Sequence, residues 1–303
     1  MKTPRFTVFT PAYNRAGLIG RLYESLCRQS FRDFEWLVVD DGSTDGTEAL
    51  FSELCCRKQD FSIRYIRQEN GGKHRAVNRG VREAAGELFF IVDSDDYLTE
   101  KALEAADRME KTLTDRTGFA GVCGRKGFDE TTPIGSGISG TFLDATARER
   151  EANGILGDQA EIFYTEILRE YPFPEFPGEK FLTEAVVWDR IGQDGYRLRY
   201  FNEILAVCNY LDSGLTANMA GLYIRNPRGY ALYLTQCSWF GTLTGREKWQ
   251  RYLEFFYAER DTLSFREISR LLEQNPAGLW LRFLGLRLRG KLLDGKQTEK
   301  ETL

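Results

Sequence analysis

The most constraining feature of the sequence is a regular alternation of short apolar runs and helical patterns near its N-terminus. Four runs rich in Phe, Val and Ile are too short for a helix core and are bounded by turn residues, which favours strands. Their first residues are 29, 27 and 26 residues apart, a spacing typical of βαβ units. Right-handed crossovers then predict a parallel α/β sheet with helices on both faces. The predicted strands are Phe6–Thr10, Glu35–Val39, Ser62–Ile66 and Leu88–Val92.

Apolar residues at helical spacing separate these strands. The first two helices are predicted around Leu18–Leu26 and Ala49–Leu54, and a third over Arg75–Ala85. A fourth should run from Thr99 to Leu113, with Thr99 as its N-cap. After Gly118 the pattern is less regular, and the expected elements are a strand over Phe119–Cys123, one or two strands over Tyr196–Tyr210 around Asn202, and helices from about Gly221 onward.

The charged residues restrict the possible functions. The chain of 303 residues has a formal net charge of −4 and a single histidine, His74. A nucleic-acid-binding protein would carry a basic stripe, so that class is disfavoured. One histidine excludes the zinc pattern His-Glu-x-x-His and any reaction that needs two imidazoles. If the chain is an enzyme, carboxylates must carry most of its chemistry.

The same composition bears on the compartment. The six cysteines form no Cys-x-x-Cys pair and no disulfide framework, which is typical of free thiols in a reducing compartment. The N-terminus leads directly into the first strand and leaves no room for a signal peptide. The longest charge-free stretch, Gly229–Gly245, contains Thr, Gln and Ser and does not approach the roughly 20 apolar residues of a membrane span. We therefore expect a cytoplasmic protein.

Polar residues follow all four predicted strands. Turn chemistry would explain any one of these segments alone. Ligands, however, bind beyond the carboxyl ends of parallel strands, so the four together predict a ligand cleft. The segments are Thr10–Arg15, Asp40–Ser43, Asn70–His74 and Asp93–Asp96.

Asp93-Ser94-Asp95-Asp96 is the sharpest of these motifs. Three carboxylates directly after a buried strand should repel one another unless a hard cation neutralises them. Mg²⁺ or Mn²⁺ that bridges to substrate phosphates fits this pattern. The alternative is that Asp95 and Asp96 favour the N-terminus of the helix expected after Thr99.

The other segments suggest contacts to a nucleotide. Glycines and Lys73 before a helix suit an anionic phosphate group, and His74 either joins them or hydrogen-bonds the turn. Asp41 is placed to accept a hydrogen bond from a base or a ribose. Tyr13 either stacks on a base or packs against the fold.

One motif points elsewhere. Gly135–Gly140 matches the pattern Gly-x-Gly-x-x-Gly, but it neither follows a strand directly nor opens a helix. A loop is therefore predicted there, and an NAD site is not.

Taken together, the four motifs resemble those of family 2 glycosyltransferases, which have a GT-A fold. They cover residues 6–97 in family-like order, and the resemblance continues weakly through Glu179–Glu184 to Leu215. It implies a GT-A-like (Rossmann-like), mostly parallel sheet flanked by helices, with a C-terminal helical extension. The matching segments are Thr-Pro-Ala-Tyr-Asn-Arg, Val-Val-Asp-Asp-Gly-Ser-Thr-Asp-Gly-Thr, Asn-Gly-Gly-Lys-His-Arg-Ala-Val-Asn-Arg-Gly and Val-Asp-Ser-Asp-Asp.

The resemblance also implies an activity. The expected activity is transfer of a sugar, with inversion and with the help of a metal ion, from a nucleotide-diphosphate sugar, with a UDP-sugar expected as the donor. The expected acceptor is a saccharide or a lipid-linked molecule in cell-surface polysaccharide or glycolipid synthesis. By position, Asp41 would hold the base, Lys73 would lie near the diphosphate and Asp93 near the ribose. Asp95, with Asp96 nearby, would hold Mn²⁺ or Mg²⁺. The other expected nucleotide-sugar-binding residues are Pro11, Tyr13, Asn14, Arg15 and Ser94.

The catalytic base departs from the family pattern. Many members carry Glu-Asp at a position where this chain has Glu184 followed by Ala185. Glu184 is the predicted base, because its longer side chain reaches a similar point from one residue earlier. Asp189 is the weaker candidate, and a supporting role for Glu184 stays open. Two alternative functions stay open. The chain could be a non-catalytic protein that binds a nucleotide sugar, or a nucleotidyltransferase, although it lacks the glycine- and lysine-rich first loop that is usual in that class.

The chain is expected to contain a GT-A domain over residues 1–218 and a helical region over 219–303. Residues 1–117 would form the nucleotide-sugar half and 118–218 the acceptor half. Leu279–Leu293 contains Trp280, Phe283 and four basic residues, so peripheral contact with the inner face of the cell membrane is one interpretation. On a helical wheel the arginines do not gather on one face, which favours a helix packed on the domain. Gly295–Leu303 is predicted to be a polar tail.

Overall fold

The computed structural model describes residues 3–209 and 219–286. The chain divides into two compact units, of which the first comprises Met1–Glu175 and Val187–Ala217. The second comprises Phe176–Val186 and Asn218–Leu303. The segment Phe176–Val186 therefore groups with the C-terminal helices, although it precedes them by more than thirty residues in the sequence.

The first unit begins with the alternation that the sequence predicts. Its strands and helices are β1 (Phe6–Ala12), α1 (Ile19–Cys27), β2 (Phe34–Asp40), α2 (Thr47–Leu54), β3 (Ser62–Arg67), α3 (Lys73–Glu83) and β4 (Leu88–Ile91). All four predicted strands and all three predicted helices are confirmed. β2 is buried along its whole length, and β1 nearly so, as expected for strands covered on both faces.

Five further strands complete a nine-stranded sheet: β5 (Tyr97–Leu98), β6 (Phe119–Gly127), β7 (Leu143–Ala145), β8 (Gln159–Tyr164) and β9 (Arg197–Val207). The order is β3-β2-β1-β4-β8-β6-β9-β5, with β7 beside β9. β1 is parallel to β2 and β4, whereas β8 runs antiparallel to its neighbours β4 and β6. The sheet is thus parallel in its first half and mixed overall. Because β8 is antiparallel to both β4 and β6, β6 runs in the same direction as β4. β9 is parallel to β6. The carboxyl ends of β6 and β9 therefore lie at the same edge as those of β1, β2 and β4.

The expected N-cap at Thr99 is wrong. Tyr97 and Leu98 form β5, which pairs antiparallel with β9, and the Thr99 hydroxyl donates a hydrogen bond of 2.9 Å to the carbonyl of Ile204. The sheet therefore takes up this segment, and the fourth helix begins later, at Ala102. The remaining helices before β9 are α4 (Ala102–Glu110), α5 (Thr165–Glu170) and α6 (Ala185–Gln193).

α3 approaches the sheet closely at Gly80. A Cβ atom at this position would lie 2.2 Å from a ring carbon of Phe9, a residue of β1 that is fully buried. Only glycine fits at this separation. The close packing fixes α3, and with it the residues at its N-terminus, relative to β1.

The loop predicted over Gly135–Gly140 is confirmed. Asn202 holds it, because its side-chain amide donates to the carbonyl of Ile138 at 2.8 Å and accepts from the amide of Ile138 at 2.9 Å. Asn202 itself lies inside β9, so the late region forms one long strand around this residue.

The second unit is helical, as predicted from about Gly221. Its helices are α7 (Met219–Arg225), α8 (Pro227–Trp239), α9 (Gly245–Glu259), α10 (Phe265–Leu271) and a further helix over residues 276–286. Their buried core includes Tyr252, Phe255, Ile268, Leu272 and Leu279. Gly295–Leu303 and the end of Leu279–Leu293 lie outside the described residues. Across the part of the chain that is described, no helix is long and apolar enough to cross a membrane.

Candidate active site

The ends of β1 and β2 are joined by hydrogen bonds. The backbone of Asn14 has a positive φ of 54°, and its side-chain oxygen accepts from the amide of Thr44 at 2.8 Å. Its own amide donates to the hydroxyl of Ser43 at 2.8 Å. Asn14 therefore orders the turns after both strands. Beside it, Pro11 is half-buried within β1, and Tyr13 is 47% exposed.

Asp41 organises the loop that precedes α3. Its buried carboxylate accepts from the amides of Gly71 at 2.9 Å and Gly72 at 2.6 Å, and from the side chain of Gln68 at 2.8 Å. Gly72 has a φ of 96°, which disfavours any residue with a side chain. The sequence singled out Asp41 as a ligand for a base. The structure gives this carboxylate a further task, which is to hold the start of α3.

Lys73 and Asp93 meet at the edge of the sheet. The ammonium nitrogen of Lys73, at the start of α3, lies 2.6 Å from Oδ1 of Asp93, which follows β4. Burial opposes ionisation of Asp93, but the nearby cations Lys73 and Lys126 outweigh it, so the pKa of this carboxyl is lowered. Arg15 donates to the hydroxyl of Ser94 at 3.2 Å. Two cations and one carboxylate from three of the predicted motifs therefore lie together.

Asp95 and Asp96 differ in their surroundings. Asp96 is buried, and its carboxylate lies 3.4 Å from the ammonium of Lys126 and accepts from the amide of Asn209 at 3.2 Å. Burial raises its pKa, and the neighbouring Asp93 adds to the effect. Asp95 is half-buried, and its side chain makes no hydrogen bond or ion pair with any residue that the structure describes.

Helix capping does not explain these two carboxylates. α4 begins at Ala102, after β5, and the acidic residue of its first turn is Glu104. The capping alternative is therefore wrong. A role for Asp95 in binding a cation stays a prediction.

His74 is the one buried imidazole of the chain. It is 4% exposed, and its Nδ1 atom has no hydrogen-bond partner. Burial and the positive charge of Arg75 lower its pKa to about 4, against the weaker opposite effect of Glu175 and Asp41. His74 is therefore neutral at physiological pH and adds no positive charge to a phosphate site.

The two candidate bases belong to different units. Glu184 lies in the Phe176–Val186 segment of the second unit; it is half-buried, and its Oε1 atom is inaccessible to solvent. Asp189 lies in α6 within the first unit. Burial raises the pKa of Asp189, while Arg148 and Arg150 act against this effect.

Lys126 is a residue that the sequence reasoning missed. It lies near the carboxyl end of β6, and its ammonium contacts Asp96 and contributes to the lowered pKa of Asp93. The signal was available only in part, because a strand over Phe119–Cys123 was expected but not its place in the sheet. Once β6 is known to run parallel to β4, a cation at its carboxyl end falls at the same edge as the aspartates.

These residues lie within a region that known proteins share. A family model described as "Glycosyl transferase family 2" matches residues 7–160, about half of the chain. The chain belongs to glycosyltransferase family 2. The strand-end residues from Pro11 to Asp96 all fall inside the matched range, whereas Glu184 and Asp189 fall outside it.

Two relatives illustrate the similarity of this family 2 member to characterised proteins. A GalNAc(5)-diNAcBac-PP-undecaprenol beta-1,3-glucosyltransferase of Campylobacter jejuni is 28% identical over 61% of this chain and 59% of its own length. The poly(ribitol-phosphate) beta-N-acetylglucosaminyltransferase TarS of Staphylococcus aureus is 36% identical over 34% of this chain and 18% of its own length. The chain therefore spans less than two thirds of either relative.

Solved structures share the fold of this family 2 member. Residues 1–349 of S. aureus TarS in complex with UDP-GlcNAc superimpose with a TM-score of 0.56 and 19% identity, over 85% of this chain and 73% of that one. A mannosyltransferase from Pyrobaculum calidifontis, in complex with GDP-Man and Mn²⁺, gives a TM-score of 0.54 and 22% identity, over 96% and 81%. The GT-A fold expected from the motifs is confirmed.

Proposed function

We propose that this family 2 member transfers a sugar from a nucleotide-diphosphate sugar, with UDP as the nucleotide, to an acceptor hydroxyl with inversion. The observation that carries the proposal is the Lys73–Asp93 ion pair at the carboxyl edge of the sheet, with Arg15 and Ser94 beside it. Ligands bind at this edge in open α/β sheets.

The charges at this edge match the parts of such a donor. Lys73 and Arg15 would attract the diphosphate, and the first turn of α3 adds backbone amides and a favourable dipole. Asp93, ionised because its pKa is lowered, is suited to accept hydrogen bonds from ribose hydroxyls. Asp41 would contact the base through its remaining lone pair, since Gly71, Gly72 and Gln68 already donate to this carboxylate.

The carboxylates fit a divalent cation of the Mg²⁺ or Mn²⁺ type. Hard cations take oxygen ligands and are held by one or two carboxylates together with substrate phosphates. Asp95 offers such a carboxylate, and in the described ranges no three His, Cys, Asp or Glu side chains converge into an all-protein cage. Asp95 would hold the cation, with Asp96 adjacent. A bound cation would supply neutralisation of the charge that develops on the departing diphosphate.

A carboxylate would take the proton of the acceptor hydroxyl. Glu184 is the proposed base, and Asp189 is the second candidate. The raised pKa of Asp189 makes it a stronger base than a free aspartate once it is ionised, which is the argument in its favour. Exchange of each carboxylate for its amide separates the two.

The relatives support an acceptor in cell-surface synthesis. By its name, the Campylobacter protein adds glucose to an undecaprenol-linked glycan, and TarS acts on poly(ribitol phosphate). We propose a polysaccharide or lipid-linked acceptor for this chain, with the protein in the cytoplasm and in peripheral contact with the inner face of the membrane.

The donor proposal is tested by hydrolysis of a panel of nucleotide sugars with Mn²⁺ or Mg²⁺. We expect release of UDP from one UDP-sugar, and loss of this activity by at least about a hundredfold in Asp95→Asn, because the leaving diphosphate loses its neutralisation. Asp115→Asn is the matched control, since Asp115 is an exposed loop carboxylate. Wild-type turnover by Asp95→Asn would refute the metal assignment.

Calorimetry with UDP and Mn²⁺ separates an enzyme from a binding protein. Binding without hydrolysis of any nucleotide sugar would favour a protein that has lost its base at Ala185. For an active enzyme, transfer is then compared between Glu184→Gln and Asp189→Asn. If only the second variant is inactive, Glu184 is not the base.

A further inference from the structure

One helix of the second unit exposes an apolar face. In the helix over residues 276–286, Leu279 and Phe283 are 1% and 6% exposed and belong to the core of the unit. Trp280, Leu281 and Leu284 are 56%, 63% and 39% exposed. With about 3.6 residues per turn, these three side chains fall within an arc of about 100° that faces away from the core. A contiguous exposed face of this kind, with a tryptophan, is typical of a binding surface.

Basic side chains lie beside this helix where the structure describes it. Arg282 and Lys248 both contact the ring of Trp249, each at 5.1 Å from its centre. Residues 274–293 contain four basic side chains and no acidic one, although the chain as a whole has a net charge of −4. Of these basic residues the structure describes Arg282, whereas Arg287, Arg289 and Lys291 lie outside the described residues.

This combination decides between possible occupants. In a symmetric dimer, a second copy would bring its own Arg282 and Lys248 to the same face, and like charges would oppose the contact. An anionic bilayer satisfies both features, because leucines enter the acyl region, tryptophan lies at its boundary, and cations meet the lipid phosphates. The helix has 11 described residues, too few to span a bilayer but enough to lie in its surface.

We propose that the face formed by Trp280, Leu281 and Leu284 docks on an anionic lipid bilayer. The inference deepens the proposed function, since a lipid-linked acceptor is presented at such a surface, and it rests on that proposal for the class of acceptor. The helix packs on the core of its unit through Leu279 and Phe283, as the helical wheel favoured, and the proposal concerns its exposed side. The arginines are scattered, but the exposed apolar residues are gathered.

The test is co-sedimentation with vesicles of phosphatidylcholine containing about 30% phosphatidylglycerol, beside vesicles of pure phosphatidylcholine. We expect the wild-type protein to bind the anionic vesicles at least about tenfold better, and the binding to weaken with added salt. The variant Trp280→Ser/Leu281→Ser/Leu284→Ser should lose at least about tenfold in binding to the anionic vesicles. Ile224→Ser/Trp239→Ser, at exposed apolar residues elsewhere in the unit, is the matched control.

Circular dichroism and thermal melting establish that each variant is folded. Equal sedimentation of the triple variant and the wild type would overturn the proposal, as would a wild type that binds neither kind of vesicle. A wild-type dimer that becomes monomeric in the triple variant, without vesicle binding, would assign the face to a second copy. Hydrolysis of the soluble donor is measured in parallel. If the wild-type protein hydrolyses no nucleotide sugar, the proposed transferase function is refuted, and the sedimentation result is then judged by itself.

Discussion

The ammonium nitrogen of Lys73 lies 2.6 Å from Oδ1 of Asp93, and this ion pair joins the first turn of α3 to the segment after β4. The two side chains are 26% and 34% exposed, so solvent and a ligand can reach both. In a bound donor, a phosphate would contact the ammonium of Lys73 and a hydroxyl would contact the carboxylate of Asp93. The pair therefore holds a cation and an anion in position before a substrate arrives.

Lys73→Met should weaken binding of UDP. The substitution removes the cation closest to the expected diphosphate and leaves the Asp93 carboxylate, which Lys126 and Arg15 still favour in its charged form, to repel the phosphates. We expect the dissociation constant of UDP, measured by calorimetry, to rise by about tenfold or more. Arg79→Met, at a more exposed cation of the same helix, is the control and should leave it unchanged. An equal effect of both variants would mean that only the general charge of α3 matters.

Asp41→Asn should disturb the loop before α3. In the asparagine, an NH2 group replaces one carboxylate oxygen. This group is a donor and faces the backbone N–H of Gly71 or Gly72, which is also a donor, so one of these hydrogen bonds is lost. The free energy of unfolding in urea should fall by about 1–3 kcal/mol. Asp60→Asn, at an exposed residue, should change it by less than about 0.5 kcal/mol. If Asp41→Asn is as stable as the wild type, the carboxylate serves the ligand and not the loop.

The strand-end motifs could be located from the sequence because their signals are local. Short apolar runs bounded by turn residues, glycines before a helix such as Gly72, and acidic residues directly after a buried strand are all visible within a few positions. The parallel direction of the strands near Asp93 followed from the same βαβ spacing. Local patterns were therefore sufficient for the edge of the sheet at the ends of β1 to β4.

The second half of the sheet could not be predicted in this way. β8 reverses direction between β4 and β6, and this pairing joins residues more than 70 positions apart along the chain. The contact of Asp96 with Lys126 and Asn209 depends on that topology. The error at Thr99 has the same origin, since a strand partner over 100 residues away replaced a helix start.

Two glycine substitutions should have opposite effects on stability. In Gly80→Ala the new methyl group would meet the ring of Phe9 at 2.2 Å, inside a packed core, so the free energy of unfolding should fall by about 1–3 kcal/mol. In Gly20→Ala, on the exposed side of α1, no atom lies within 4 Å, and better helix propensity should raise it by up to about 1 kcal/mol. Urea unfolding of both variants checks the pair. Equal values would mean that α3 can move away from β1 at no cost.

The stability of the protein should fall as the pH drops from neutral, because of His74. Its pKa is about 4 in the folded protein and about 6.5 when unfolded, so between these values the unfolded chain binds the extra proton. The contribution of His74 to the free energy of unfolding is therefore complete above about pH 6.5 and is lost as the pH falls toward 4. Between pH 7.5 and pH 5 the loss amounts to about 2 kcal/mol. Urea unfolding measures the slope, which His74→Gln should flatten. The lone imidazole can also be titrated by NMR, and a pKa near 6.5 in the folded protein would contradict its burial as a neutral group.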